Sequence, residues 1–71
     1  MSETIDARGL SCPQPVILTR GKIKELSGGE IIVLVDNETA KENVIRAAEK
    51  RGWMCAQVDE ENGDFKVHLK K

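Results

Sequence analysis

Ile31-Ile32-Val33-Leu34-Val35, followed at once by Asp36-Asn37, is the stretch on which the fold turns. The run is far shorter than the roughly 20 apolar residues a membrane helix needs. It is also too uniformly apolar and β-branched for a helix with one wet face, and it fits a central strand. Working outward toward the N-terminus, Gly28-Gly29 precede the strand and read as the stop of a helix. Val16, Thr19, Ile23 and Leu26 recur at helical spacing while Arg20, Lys22, Lys24 and Glu25 take the polar positions, which predicts an amphipathic helix over 13–27. Before it, Thr4 to Ala7 reads as a short strand with Ile5 and Ala7 on one face, and Arg8-Gly9-Leu10-Ser11 as a loop.

On the other side of the central strand, Thr39-Ala40-Lys41-Glu42 matches a capping box, with Asn37 as a second capping candidate just upstream. Val44, Ala47 and Ala48 then share a face until Gly52 stops the helix. From Trp53 the period becomes two, with Met54, Ala56 and Val58 alternating against Cys55, Gln57 and Asp59. Asn62-Gly63 is the strongest short hairpin signal available, and Phe65 to Leu69 returns as the last strand. The order is βαβαββ. Because the last strand alternates Phe65, Val67 and Leu69 with Lys66, His68 and Lys70, one sheet face is expected to meet water. The predicted fold is therefore α+β: a two-layer sandwich of one mixed four-stranded sheet with two helices on one face. Residues 1–71 read as a single domain, of a size at which one core supplies only about 3–5 kcal/mol.

Eleven Lys and Arg against twelve Asp and Glu give a net charge of −1, which argues against a general nucleic-acid footprint. Arg20, Lys22 and Lys24 form a local basic cluster, read first as a solvated helix face and second as a docking surface. Two cysteines do not make a disulfide scaffold, and no leader-like segment opens the chain, so a reducing cytoplasm is the expected compartment. One histidine with two separated cysteines gives no zinc pattern, and neither a metal nor a cofactor is expected.

The chemistry concentrates in Cys12-Pro13-Gln14-Pro15. With Cys12 at the N-cap, Pro13 falls at the first helical position, where its missing N–H is no loss. Pro15 is tolerated in the same turn, and the N–H groups of Gln14 and Val16 remain to face the sulfur. A helix start stabilises negative charge, and the thiolate is the nucleophilic form of cysteine. The plainer alternative is that Cys12 is a small buried apolar residue and the prolines only begin a helix. Cys55 sits within a strand without a proline start or a Cys-x-x-Cys partner and reads as passive. His68, between Lys66 and Lys70, reads as exposed, and Trp53 as a partial core plug. Asp36 and Asn37, directly after the central strand, are expected near the Cys12 end of the sheet.

The segment Asp6-Ala7-Arg8-Gly9-Leu10-Ser11-Cys12-Pro13-Gln14-Pro15 resembles the D-x-x-G-x-x-C-P-x-P signature of the TusA/SirA/YedF-like sulfur carrier family, and the likeness extends along the chain. Asp36 to Val44 resembles the second-helix start of the YedF-like branch. Ser11 stands where TusA proper often has Arg, a departure that points away from a tRNA-thiolation relay. The resemblance implies a fold similar to the C-terminal domain of translation initiation factor 3. It also implies a metal-free role in which Cys12 accepts sulfane sulfur as a persulfide. The partners it implies are a cysteine desulfurase or other sulfur donor protein and a sulfur acceptor protein. Pro13 and Pro15 would start the helix, while Asp6 and Gly9 would frame the loop, Gly9 by its backbone geometry and Asp6 by bonds to the turn.

Two other classes of function stay open at this point. Cys12 of a regulatory interaction protein would be oxidised reversibly as a redox sensor. An RNA-binding module would use the exposed sheet face, although one Phe, one Trp and no Tyr offer little for base stacking.

Overall fold

The computed structural model describes residues 2–10, 14–26 and 28–71. In chain order the elements are β1 (Ser2–Asp6), α1 (Gln14–Glu25), β2 (Glu30–Val35), α2 (Glu38–Glu49), β3 (Met54–Glu61) and β4 (Asp64–Lys70). The strands form one sheet in the order β1-β2-β4-β3. β1 runs parallel to β2, while β4 pairs antiparallel with both β2 and β3. The mixed sheet and the βαβαββ order are those expected from the residue pattern.

Register places the apolar alternation on one side. Ile31 pairs with Leu69, Val33 with Val67 and Val35 with Phe65, and the first five of these side chains are buried. Val44 and Ala48 of α2 and Ile23 of α1 cover them. Burying each Val, Ile or Leu there contributes roughly 1.5–3 kcal/mol, which is why the pattern leaves little choice of register. α1 contributes Pro15, Thr19 and Ile23, spaced at i, i+4 and i+8 as one stripe. Thr19 is wholly buried, and its hydroxyl donates to the Pro15 carbonyl at 2.8 Å, so no polar group is left unpaired there. Trp53 is a full member of the core at 2 % exposure, and its backbone N–H donates to the Ala48 carbonyl.

Several local expectations shift. α2 begins two residues before the capping box suggests. Asn37, in extended backbone, is the N-cap, and its side-chain oxygen accepts from the Ala40 N–H at 2.7 Å. Thr39 therefore lies inside the first turn. α1 ends at Glu25, before Gly28-Gly29. Gly29, with φ of 114°, instead exchanges backbone hydrogen bonds with Lys71 and leads into β2. Asn62 and Gly63 both have positive φ, 52° and 85°, as a tight hairpin turn of the primed type requires.

The alternation in β3 breaks where the sequence pattern reads it as continuous. Cys55 pairs with Leu69 and Gln57 with His68, so Ala56 is an extra residue. One inserted residue reverses the parity of every later position in the strand. Met54 is on the open face with 70 % of its surface exposed, whereas Cys55 is the residue packed against the core and Val58 sits opposite Val67.

Candidate functional site

Because β1 and β2 are parallel, their C-terminal ends lie together, and the loops leaving them meet at one end of the sheet. Asp6, the last residue of β1, accepts from the Arg8 N–H at 3.2 Å and holds the Arg8 guanidinium at 2.9 Å through both carboxylate oxygens. This paired arrangement keeps the Asp6 carboxyl low, at about 2, with the Arg8 side chain the main cause and the Arg8 N–H the next. The guanidinium also reaches Asp64 at 3.4 Å, tying the loop to the start of β4. Gly9 comes next with φ of 79°, a conformation that costs glycine little and a side-chain-bearing residue more. Its N–H donates to Asp36 at 2.8 Å.

Asp36 also accepts from the Asn37 amide at 3.0 Å, and Asn37 caps α2. A continuous chain of hydrogen bonds thus joins the loop before the CPxP segment to the start of the second helix. Asp36 and Asn37 are at the end of the sheet where the sequence expects them. The Asp36–Gly9 contact itself spans 27 residues and has no local signature; the only cue is an aspartate directly after a central strand.

Cys12 and Pro13 lie outside the described residues, as does Ser11. The described remainder of the segment is Gln14, exposed at the start of α1; Pro15, buried beneath it; and Val16, half-buried and facing Asn43 and Ala47 of α2 across a shared groove. Asp6 and Gly9 are brought together in the loop. The first turn of α1 carries no acidic side chain of its own. Just beyond it, Ile17 and Leu18 are 53 % and 40 % exposed.

Elsewhere, Cys55 is a half-buried free thiol whose Sγ lies 3.8 Å from the Gln57 carbonyl. Burial pushes its pKa up, which favours the inert thiol. His68 is not simply exposed. It faces Asp59 at 3.0 Å across the β3–β4 pair, and the Gln57 amide together with His68 holds the Asp59 carboxyl below its usual range. Trp53 and Phe65 both belong to the helix-covered side, so the open sheet face presents neither aromatic ring for stacking. Among the described residues no group of His, Cys, Asp and Glu is placed to hold a metal ion, and no helix is long and apolar enough to cross a membrane.

The fold and the loop define a class: small α+β domains of βαβαββ order in which a Cys-Pro-x-Pro segment leads into the first helix in sequence and the loop leaving β1 is tied to the end of the parallel strand β2. The family model described as sulfurtransferase TusA matches residues 3–71, and the chain belongs to that family of TusA-like sulfur carriers. It is 35 % identical to a protein of Methanocaldococcus jannaschii over 94 % of this chain and 91 % of that one. A protein of Archaeoglobus fulgidus is 37 % identical over 82 % of this chain and 67 % of its own. Both carry the name "putative sulfur carrier protein". Among solved structures, the crystal structure of a SirA-like protein from Desulfitobacterium hafniense superposes with a TM-score of 0.88 at 37 % identity, covering 96 % of this chain and 95 % of that one.

Proposed function

We propose that the protein carries sulfane sulfur as a persulfide on Cys12. Sulfur donor and acceptor partners are implied by the carrier family in general terms. The finer reading is that a donor such as a cysteine desulfurase presents R–S–SH, and the Cys12 thiolate attacks its outer sulfur. The donor S–S bond breaks, its electron pair leaves with the donor thiolate, and a new S–S bond forms on Cys12. No net oxidation occurs. Repetition of the exchange with an acceptor thiolate regenerates Cys12.

The observation that carries this reading is the setting of α1. Its first residue, Gln14, comes two positions after Cys12, its first turn lacks a carboxylate, and the loop before it is held by the Asp6–Arg8 and Gly9–Asp36 bonds. Such a start favours a thiolate, and the anchored loop reduces the freedom that a transfer geometry must otherwise lose. Pro13 supports the same geometry by restricting φ, Pro15 by packing its ring in the core, and Gln14 and Val16 by their N–H groups. The cytoplasm, with reduced thiols, is the proposed compartment.

The test is sulfur loading by a cysteine desulfurase, read by mass spectrometry. Wild type and Cys55→Ser are expected to gain one sulfur and Cys12→Ser none. Equal loading of Cys12→Ser overturns the assignment, and an oxygen adduct on Cys12 as the species isolated from cells points instead to redox sensing.

A further inference from the structure

The net charge of −1 hides a strongly uneven distribution. Between the outer faces of α1 and α2 runs a groove of about 540 Å³, floored by Val16 and Ala47 and rimmed by Arg20, Arg46, Lys50 and Arg51. All four cations are exposed, and among the described residues none of them forms an ion pair. Two other lysines of these helices are paired: Lys22 with Glu25 and Lys41 with Glu38. The basic strip continues past Arg20 and Arg51 to Lys24 and Lys71. Among the described residues no carboxylate lines the groove. Asp59, Glu60, Glu61 and Asp64 crowd the β3–β4 hairpin, and Glu38, Glu42 and Glu49 form the neighbouring stripe of α2, where Glu42 and Glu49 flank Arg46 at i−4 and i+3 without an ion pair to it.

Four like charges around one groove repel each other, and nothing in the fold requires them there. A partner of opposite charge relieves that repulsion and is steered toward the groove. The volume suits several side chains rather than one small ion. The floor is aliphatic with no aromatic ring, which suits apolar side chains and offers no platform for bases. We infer that the α1–α2 groove docks an acidic amphipathic helix of a partner protein, its apolar residues on Val16 and Ala47 and its carboxylates on Arg20, Arg46, Lys50 and Arg51. Because Val16 comes four residues after Cys12, the occupant would be a segment of the sulfur donor or acceptor; that identity rests on the carrier reading, while binding in the groove does not.

The experiment uses the full chain with Cys12→Ser, so that sulfur chemistry plays no part. Three probes are titrated: a Leu/Glu amphipathic peptide of about five helical turns, its Leu/Lys counterpart, and a short single-stranded RNA. Binding is read by fluorescence anisotropy and by amide shifts in NMR. The Leu/Glu peptide is expected to bind, to shift Val16, Arg20, Ala47 and Arg51, and to weaken as salt rises. Arg46→Glu with Arg51→Glu should weaken it about tenfold or more, a loss of about 1.4 kcal/mol. Lys22→Glu, at a cation outside the groove, should not. Circular dichroism of each variant checks that it is folded, and the exposed Arg46→Gln serves as the milder change. Equal binding of the Lys peptide, shifts confined to the open sheet face, or indifference to charge reversal overturns the proposal. Tighter binding of the RNA than of the Leu/Glu peptide at the same salt overturns it too and makes the groove a nucleic-acid site. If the peptide binds while wild type fails to load sulfur, the groove stands and the carrier reading falls.

Discussion

The two helices start at the same end of the sheet and are built differently. α2 opens on Asn37, whose side chain occupies the Ala40 N–H, and places Glu38 in its first turn. Its positive end is satisfied from within the chain, and it leaves no large apolar side chain exposed. α1 opens on Gln14 and Pro15, has no acid in its first turn and leaves Ile17 and Leu18 in solvent. One helix is capped and charge-matched from within the chain, whereas the first turn of the other brings no acid and two exposed apolar side chains lie on its surface. In a domain this small the contrast is informative, because each cap and each exposed apolar side chain is a measurable fraction of a stability of only about 3–5 kcal/mol.

The sharpest way to break that comparison is chemical. Cys12→Ser should lose sulfur transfer altogether in a donor-to-acceptor assay, while Cys55→Ser, at a thiol that burial holds protonated, should keep most of it. Comparable loss in both variants would erase the difference between the helix start and the strand. Next in size is the cap. Asn37→Ala should cost about 0.5–2 kcal/mol in urea unfolding, and Thr39→Ala, inside the helix, clearly less. Sulfur loading of both folded variants should match wild type.

A smaller effect on stability is expected at Ile17. Ile17→Ser removes a side chain already half in water, so the unfolding free energy should change by no more than about 0.5 kcal/mol. The rate of transfer to or from a protein partner should nevertheless fall, and an unchanged rate would leave the exposed apolar residues of α1 without a role.

The smallest effect is that of pH on the loop anchor. The folded Asp6 carboxyl titrates at about 2, below its ordinary value of 3.8, so its contribution is present above that ordinary value and is lost as pH falls toward 2. Asp6→Asn should be less stable than wild type at neutral pH, with the gap closing between about pH 4 and 2. A gap independent of pH would remove the ion pair from the account. Because both partners are well exposed, the gap should also shrink in high salt.

These contrasts differ in how far the sequence carries them. Element order, the Asn62-Gly63 hairpin and the alternation of β4 are local patterns, and each is realised in the fold. Gly9 and Asp6 are legible for a similar reason, since an aspartate before a tight loop bonds the next backbone N–H groups. The start of α2 is legible only to within two residues, because Asn37 and Thr39 both suit a cap and the choice depends on where β2 releases the chain. Three features require pairing across the chain. The extra residue at Ala56 has no glycine or proline to mark it, and it moves Cys55 onto the core side. His68 finds Asp59 only once β3 and β4 are in register. Arg20 of α1 joins Arg46, Lys50 and Arg51 only when the helices pack, so a cluster read along α1 as Arg20, Lys22 and Lys24 is divided between a paired lysine and a groove shared with α2.

The extra residue at Ala56 also bears on association. β3 is an edge of the sheet, so its outer backbone groups offer a template for another strand. A bulge near its start twists that edge, and Asp59, Glu60 and Glu61 crowd its far end with like charge. Both devices oppose edge-to-edge growth into a continuous sheet. The strand is thereby kept from the most persistent of associations, pairing with another copy of its own edge.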